Sequence, residues 1–488
     1  MRPGVYITES VTATPVAVSA PSSSAGALVA PLPSGPTTPT RVTSWFSFVN
    51  VFGNLDTYYE ASFAANSFFK AGGRELYVAR VVKTDAASAG VTLNASNGSS
   101  DWITFIAKSE GAYGNLLRIR ITKNAANFYD IEVLKEAGET GDATDDSVLE
   151  NFYDLNLSTF GNQEIVDVFA VRSQFINVEW AASGTGLTVA TSFSVLPLSA
   201  GTDGTSGADY DYDSAIDQLR LVDRTLVLFS PCTTESTVVN ALITFAEETK
   251  SFVVLDVPTG YDAEDAVDYA DTLATTSYAA VYYPHLWVAD TTSRSRDAIR
   301  KVAPSGAVAG LYLRTDATTG VFRAPAGLQA TIPGVVALER SLTTTELDSL
   351  NNDTSPVNAI RVVAGTGPVV MGARTLDQSA STRYVNIRRT LLYLDRELRS
   401  RLEFALFQNN DANLWGRMRT TVDVFLDGFW GSGGLRGSTK QQAYYVKIDR
   451  ENNTASDIAN GIVNVEVGIA LQYPAEFIKI KLTQQTQL

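Results

Sequence analysis

The stretch from Ala303 to Gly327 constrains the fold of this chain more than any other part of the sequence. Glycines and prolines flank one apolar core, which we expect to be strand-like: the stretch reads Ala-Pro-Ser-Gly-Ala-Val-Ala-Gly-Leu-Tyr-Leu-Arg-Thr-Asp-Ala-Thr-Thr-Gly-Val-Phe-Arg-Ala-Pro-Ala-Gly. Glycine permits turns and close backbone approaches that a side chain would prevent, and proline fixes the backbone at a turn. The stretch supplies no nucleophile, metal cage or phosphate loop, so it indicates packing rather than catalysis.

The 488 residues are enough for several domains, and 45% apolar with 19% charged residues predicts folded globular protein. No apolar run approaches the roughly 18 residues that a membrane span requires. The start, Met1-Arg2-Pro3-Gly4, does not resemble a signal peptide, so we expect a cytoplasmic chain without direct membrane insertion. The single cysteine, Cys232, excludes an internal disulfide framework.

The net charge of −15 is spread unevenly along the chain. Residues 201–290 contain 16 acidic and 3 basic residues, whereas residues 373–420 contain 9 arginines and 5 acidic residues. The acidic block argues against nucleic-acid binding, because neutralising phosphates requires clusters of Lys and Arg. A solvated acidic face is the simpler interpretation of this block.

Both ends of the chain predict short strands in extended arms, because apolar and polar residues alternate there with a period of two. The segment Thr12 to Thr40, rich in Pro, Ser, Ala and Thr, predicts an extended arm or linker. An isolated edge strand such as Phe477–Thr483 promotes association unless a partner covers it, so we expect this strand to add to the sheet of another chain. The residues of the two predicted arm strands are Val5, Tyr6, Ile7, Phe477, Ile478, Ile480 and Leu482.

Between the arms, the sequence predicts a multidomain protein of mixed α/β and β structure. Short β-rich runs such as Trp102–Ala107 predict an all-β sandwich or barrel module. Continuous apolar runs such as Phe252–Val257 and Ala279–Tyr283 alternate with helices and predict a central α/β domain, followed by an α+β region. The expected boundaries are 1–24 for the N-terminal arm, 25–90 for the amino-terminal part of the core, 91–199 for the inserted β-rich domain, 200–338 for the central α/β domain, 339–476 for the C-terminal α+β domain and 477–488 for the C-terminal strand arm.

A long helix is predicted from Ser379 to Gln408. At about 100° per residue, one side carries an apolar stripe of Ile387, Leu391, Leu394, Leu398, Leu402 and Ala405. The other side carries Arg388, Arg389, Arg396 and Arg399. This basic face predicts contact with an acidic partner, and pairing within the chain, with Asp395 and Glu403, is the alternative.

The residues that catalysis or ligand binding requires are sparse. The only histidine, His285, lies in a strand-like apolar run and is expected to be packed and hydrogen-bonded, and Cys232 is expected to be a small buried side chain. The run from Asp209 to Asp213 lacks the glycine and glutamate of a calcium loop and predicts an acidic lead into a helix. Glycine-rich runs at 365–370 and 431–437 lack phosphate-binding residues and predict turns. We expect no cofactor and no metal; a soluble α/β hydrolytic or nucleotide-binding enzyme is the alternative.

A series of short motifs runs in one order along nearly the whole chain. The motifs are Pro3–Glu9, Phe68-Phe69 with Gly72-Gly73, Leu76–Val81, Gly111–Asn115, Gly201–Gly204, Tyr282–Pro284, Ala303–Gly327, Gly372–Leu376, Arg388-Arg389, Phe407 with Asn409–Asp411, Leu414-Trp415, Asn453-Thr454 and Pro474–Ile478. In this order they resemble the contractile tail sheath proteins of bacteriophages and of related tailocin and contractile injection particles. Lys70-Ala71 and His285 are small departures from the family pattern.

The resemblance implies a structural subunit and no enzyme. Sheath subunits stack as sixfold rings around an inner tail tube, exchange terminal strands with neighbours, and contract to drive the tube through the bacterial envelope. The resemblance also implies a subtilisin-like fold for the central domain, with the C-terminal domain at small radius and the β-rich module at larger radius. The implied partners are copies of this chain, the inner tube protein, and baseplate and tail terminator proteins, in a virion tail assembled in the host cytoplasm. The arginine face of the long helix would then meet the inner tube or a neighbouring subunit.

Deleting Ile478–Leu488 tests the role of the C-terminal arm. We expect the truncated chain to remain soluble and folded but to lose the ability to polymerise, because its edge strand can no longer add to a neighbour's sheet. Negative-stain microscopy of full-length and truncated protein measures this. Normal sheath tubes from the truncated chain would contradict the expectation.

Overall fold

The computed structural model is a multidomain α/β protein, and its described residues form one eight-stranded sheet and four smaller sheets. The structure describes residues 24–94, 101–123, 128–136, 146–157, 161–180, 195–295 and 297–476. The predicted arm strands lie outside these residues, including Val5, Tyr6, Ile7, Phe477, Ile478, Ile480 and Leu482.

The described chain begins with a strand in the middle of the large sheet. The first elements are β1 (Ser24–Pro31), β2 (Thr40–Val42), α1 (Trp45–Phe52), α2 (Glu60–Lys70) and β3 (Leu76–Val81). β1 is buried along its whole length and pairs in parallel with β3. The prediction of an arm or linker over Thr12–Thr40 is therefore wrong for β1. Its small residues allow close packing under α2, since a side chain at Gly26 would lie 2.6 Å from the ring of Phe68.

The inserted module is β-rich, as predicted, and it also contains a helix that the sequence analysis missed. Its elements are β4 (Ser88–Asn94), β5 (Asp101–Glu110), β6 (Leu117–Lys123), β7 (Tyr129–Lys135), β8 (Ser147–Leu155), α3 (Gln163–Arg172), β9 (Ile176–Trp180) and β10 (Leu196–Pro197). The strands form two antiparallel sheets, with orders β4-β5-β9 and β10-β6-β7-β8. Both sheets and α3 share one apolar core that includes Phe105, Ile131 and Phe169.

The central region alternates strands and helices, and most of the strands complete the large sheet. Its elements are α4 (Tyr212–Gln218), β11 (Thr225–Phe229), α5 (Ser236–Thr249), β12 (Phe252–Asp256), α6 (Ala263–Asp271), β13 (Ala279–Tyr283), β14 (Leu286–Ala289), β15 (Ile299–Val302), α7 (Ser305–Thr318), β16 (Val335–Leu338), α8 (Thr344–Leu350), β17 (Val357–Val363) and β18 (Gly367–Val370). The sheet order is β18-β17-β13-β12-β11-β1-β3-β2. The strands between the two antiparallel edge strands are parallel. A small sheet of order β15-β14-β16 lies beside them.

Two of these elements correct the predictions. The expected domain boundary at 338 does not coincide with the end of the sheet, because β17 pairs in parallel with β13. The apolar core of the 303–327 stretch forms the helix α7 rather than a strand. Because residues 305–313 are buried on every side, no periodicity distinguishes helix from strand in this run. The carboxylate of Asp256, at the end of β12, accepts a hydrogen bond from the amide of Ser305 (2.8 Å) and so caps the helix.

The C-terminal region is mainly helical and ends in a two-stranded antiparallel sheet. Its elements are α9 (Val385–Leu402), α10 (Ala412–Gly431), α11 (Lys440–Ala443), β19 (Tyr444–Lys447), α12 (Ala455–Ala459) and β20 (Glu466–Ile469). The helix predicted over Ser379–Gln408 is shorter at both ends. The Asp377 carboxylate accepts hydrogen bonds from Ser379 and Thr382 and holds that segment in a turn, and a 3₁₀ turn follows α9.

In the part of the chain that the structure describes, no helix is long and apolar enough to cross a lipid bilayer. The long helices are α9 and α10, and each carries several charged residues. This agrees with the absence of a long apolar run in the sequence.

Glycines in α7 and α10 provide a matched test of close helix packing. A Cβ at Gly310 would lie 2.2 Å from the carbonyl oxygen of Phe68 in α2, whereas a Cβ at Gly416 in α10 would meet nothing within 4 Å. We expect Gly310→Ala to lower the free energy of unfolding by about 1–3 kcal/mol through overpacking. Gly416→Ala should raise it by about 0.5–1 kcal/mol through helix propensity. Urea denaturation measures both, and equal shifts for the two variants would contradict this packing.

Candidate assembly interface

The last described residues are anchored just before the C-terminal arm begins. The guanidinium of Arg374 donates from Nε to Glu476 Oε1 (2.9 Å) and from Nη2 to Glu476 Oε2 (3.0 Å). The hydroxyl of Tyr384 also donates to Glu476 Oε2 (2.9 Å). The side chain of Arg374 is only 4% exposed, so this bidentate pair is well shielded from water. Glu476, the last described residue, is therefore held in place by two side chains.

Arg374 is in turn held near the amino-terminal end of β17. The side chain of Asn358, the second residue of β17, accepts from the amide of Arg374 (2.7 Å) and donates to its carbonyl oxygen (2.8 Å) and to that of Val281 (3.1 Å). At the other end of the described chain, Ser24 pairs with Thr225 at the start of β11. Because β11 and β17 belong to the parallel part of the sheet, residues 24 and 476, where the described range begins and ends, both lie toward its amino-terminal edge.

The two-stranded sheet of β19 and β20 has room for further strands. Tyr444 pairs with Ile469, and Lys447 pairs with Glu466. Within the described residues, neither outer edge of this pair is covered by a third strand. A two-stranded sheet is marginal alone, and its free amide and carbonyl groups favour strand addition. This sheet is the candidate acceptor for arm strands.

The four arginines predicted to form one basic face of α9 do not share one free surface. Arg389 is buried and pairs with Asp316 of α7, so it is not available to a partner. Arg396 donates to the carbonyl oxygen and the carboxylate of Asp223. Arg399 pairs with Asp395 (3.4 Å), which is the pairing within the chain that the sequence analysis gave as the alternative. The guanidinium of Arg388 lies 4.5 Å from the ring centre of Tyr278. The prediction fails for Arg389 because helical spacing alone does not reveal which side a second element covers.

The pair between Arg389 and Asp316 belongs to a buried network that joins α9, α7 and β13. Nη1 and Nη2 of Arg389 donate to the two carboxylate oxygens of Asp316 at 2.9 and 2.5 Å. The guanidinium also lies 4.8 Å from the ring centre of Tyr312, whose hydroxyl is hydrogen-bonded to that of Tyr282. Sequence analysis missed Asp316 because α7 was predicted as a strand-like element. The network ties the C-terminal helices to the central sheet.

The residues considered for catalysis are not arranged for it. His285 is buried, as predicted, and its Nδ1 lies 3.5 Å from Glu339 Oε2, while Lys301 Nζ lies 2.8 Å from Glu339 Oε1. Burial lowers the pKa of His285. No hydrogen bond joins His285 to Cys232 in the described structure, and burial raises the pKa of the Cys232 thiol to about 12, which keeps it protonated.

The acidic and glycine-rich runs serve local structure. The carboxylate of Asp211 accepts a hydrogen bond from the amide of Ser214 (3.0 Å) and caps α4. The acidic run therefore leads into a helix, as predicted. Gly365 and Gly367 have positive φ in the turn between β17 and β18. Among the described residues, no cluster of His, Cys, Asp and Glu is suited to hold a metal ion.

Comparison with known proteins identifies the family. The sequence model of the phage tail sheath protein central domain matches residues 208–376, and that of the phage tail sheath C-terminal domain matches residues 377–485. Together the two models span more than half of the chain. The chain therefore belongs to the contractile phage tail sheath family.

Solved structures of sheath proteins share the fold. The sheath tail protein of Listeria innocua superposes with a TM-score of 0.61 at 11% identity, over 92% of this chain and 94% of that one. The sheath of an extracellular contractile injection system, PVC, in its contracted state superposes with a TM-score of 0.59 at 20% identity, over 99% of this chain and 98% of that one. The contracted helical sheath of the anti-feeding prophage gives 0.59 at 21% identity, over 99% of each chain. No curated protein sequence matches the chain.

Removing Arg389 tests how strongly the buried network stabilises the fold. Arg389→Ala leaves the buried carboxylate of Asp316 without its cation, so the free energy of unfolding should fall by about 3–5 kcal/mol. Arg399→Ala removes an exposed pair on the same helix and should cost less than about 1 kcal/mol. Urea denaturation of both variants measures these losses. A double-mutant cycle of Arg389→Ala, Asp316→Ala and the variant that carries both substitutions gives the coupling energy between Arg389 and Asp316. A cost for Arg389→Ala as small as that for Arg399→Ala would contradict the network's role.

Asp256 gives the stability of the chain a specific pH dependence. Burial raises the pKa of Asp256 to about 7, against about 3.9 for an unfolded aspartate. The folded state therefore binds this proton more tightly, and its contribution to stability falls as pH rises from about 4 to about 7. Asp256→Asn keeps an oxygen for the amide of Ser305 and removes the titrating group.

We expect Asp256→Asn to be more stable than the wild type at about pH 8 and to lose that advantage at about pH 4. Urea denaturation across this range measures the difference. Asp297→Asn, which removes an exposed carboxylate outside the helices, is the control. An Asp256→Asn variant less stable than the wild type at high pH would contradict the assignment.

Proposed function

We propose that this chain is the structural, non-enzymatic subunit of a contractile tail sheath that polymerises around an inner tail tube by exchanging terminal strands. Subunits stack as sixfold rings, and contraction drives the tube through the bacterial envelope. Membership of the sheath family and the fold shared with contracted sheath structures support this function.

The anchored exit of the C-terminal arm is the observation that carries the strand-exchange mechanism. The arm starts directly after Glu476, which Arg374 and Tyr384 hold. The arm strand that follows has the alternation of a half-buried strand, and β19–β20 offers uncovered edges. An arm tethered at a fixed point searches a small volume, so donation to a neighbour's sheet costs less entropy than capture of a free peptide.

We also propose a subtilisin-like fold for the central domain and a sandwich-like fold for the inserted module. The parallel order of the large sheet with helices on both faces supports a subtilisin-like central domain. Two antiparallel sheets around one core support a sandwich-like inserted module. We assign the C-terminal domain to small radius and the inserted module to larger radius. The domain boundaries at 24, 90, 199 and 476 stay predictions.

The partners of the chain follow from this function. They are other copies of the chain, the inner tube protein, and baseplate and tail terminator proteins, with no nucleic acid and no membrane insertion. One solved relative is part of the anti-feeding prophage baseplate. The location is a virion tail assembled in the host cytoplasm. Of the basic residues on α9, Arg388, Arg396 and Arg399 remain candidates for contact with the tube or a neighbour.

Contraction requires two packings of one subunit. The extended sheath would be metastable, held by a kinetic barrier and by the bound tube, and the contracted sheath would be lower in free energy. The Arg389–Asp316 network favours movement of the central and C-terminal regions as one body.

A competition experiment tests strand exchange directly. Purified chain should form hollow striated tubes or rings in negative-stain microscopy. A synthetic peptide of residues 477–488 in excess should shorten or abolish them, because it occupies the acceptor edges. A scrambled peptide of the same composition is the control. Tubes unaffected by the peptide would contradict strand exchange, and the absence of any polymer would contradict the sheath function itself.

A further inference from the structure

The cleft at the carboxyl-terminal end of α7 is formed by the 303–327 stretch and takes no part in the contacts described above. Its volume is about 390 Å³, and it lies between the last turns of α7 and the loop at 323–330. Arg314 and Arg323 line it, together with Thr315, Thr318 and Thr319. Leu328 at its rim is exposed.

Neither arginine of this cleft has a carboxylate partner in the part of the chain that the structure describes. Arg314 donates from Nη2 to the carbonyl oxygen of Thr331 (2.7 Å). Burial lowers the pKa of Arg314. By contrast, the buried Arg374 and Arg389 each face a carboxylate. A partly buried cation without a counter-charge is costly, so the cleft is suited to receive carboxylates from outside.

The other polar groups of the cleft argue against a free inorganic anion. The hydroxyls of Thr315, Thr318 and Thr319 donate back to helix carbonyl oxygens. These hydroxyl protons are therefore not available to a small anion, whereas the two guanidinium groups can still donate to the carboxylates of a partner.

A matching acidic surface lies on α6. Glu264 and Asp268 are one turn apart and exposed, and α6 contains no basic residue. Neither forms an ion pair within the described residues, whereas Asp265 takes part in the capping box of α6 and Asp271 accepts from Ser355. Like charges at this spacing destabilise a helix, so a cationic partner would relieve the repulsion.

The large sheet separates the two surfaces within one subunit. Side chains of α7, such as Val308 and Tyr312, pack in the core on one face of the sheet. Side chains of α6, such as Ala266 and Ala270, pack in the core on the other face. The cleft and the acidic pair of one molecule therefore cannot meet, and only a second molecule can bring them together.

We propose that the cleft of Arg314 and Arg323 binds Glu264 and Asp268 of a second copy of this chain. The two surfaces differ, so the contact is heterologous and propagates from subunit to subunit. Its charge complementarity fixes the register of neighbours. This inference rests on the proposed sheath function. It adds a contact between sheath subunits that does not involve the terminal arms.

Charge reversal with rescue tests the contact on the full-length chain. Arg314→Glu/Arg323→Glu and Glu264→Arg/Asp268→Arg should each raise the protein concentration at which tubes form by about tenfold or more, since like charges then face each other in every repeat. The chain that carries all four substitutions should regain the wild-type concentration. Sedimentation and negative-stain microscopy measure the onset.

Controls separate folding from association. Arg323 is exposed, so Arg323→Glu alone keeps the fold and should still raise the onset concentration. Arg172→Glu/Arg294→Glu makes the same change in net charge at exposed positions outside the cleft and should leave the onset unchanged.

Three outcomes would overturn the inference. If the cleft variants form tubes at the wild-type protein concentration, the cleft takes no part in assembly. If the variant with all four substitutions does not return to that concentration, α6 does not bind the cleft. If the control variant raises the onset concentration equally, the change in net charge alone would explain the effect. Absence of tubes from the wild type would instead contradict the proposed function.

Discussion

The buried ion pair between Arg389 and Asp316 joins the C-terminal helices to the central sheet, where Val385 and Leu392 of α9 also pack in the apolar core. It joins α9 to α7, and through Tyr312 and Tyr282 it reaches β13. A buried pair is expensive to separate, because either charge alone would be left without water or a partner. Separating the two regions would therefore be costly, which suits the sheath subunit that we propose.

The helix α7 has two different roles along its length. Its amino-terminal half is packed so closely against α2 that glycine is required, with a Cβ at Gly306 only 2.4 Å from the carbonyl oxygen of Ala64. Its carboxyl-terminal half carries Asp316 toward α9 and Arg314 toward the cleft. One stretch of sequence therefore supports packing within the subunit and, on our inference, contact between subunits.

Sequence analysis succeeded where local pattern and burial agree. The strand at Ala279–Tyr283 was predicted with its exact bounds, and the strand of the run Phe252–Val257 ends only one residue earlier, because continuous apolar runs between helices are typical of covered parallel strands. It failed at α7, since a run buried on every side has no periodicity, and at Ser24–Pro31, since a strand of small residues resembles a linker in composition. It also placed Arg389 on a free face, because the spacing of a helix does not reveal its neighbours.

The sequence by itself determined the family, through the order of its motifs, and predicted a β-rich module, an α/β domain and an α+β C-terminal region. Those properties depend on local pattern and residue order. Only the tertiary structure decided that Arg374 holds Glu476, that Arg389 holds Asp316, and that Arg314 has no carboxylate partner among the residues described. These contacts join residues far apart in sequence, and whether a charge is paired depends on which elements the fold brings together.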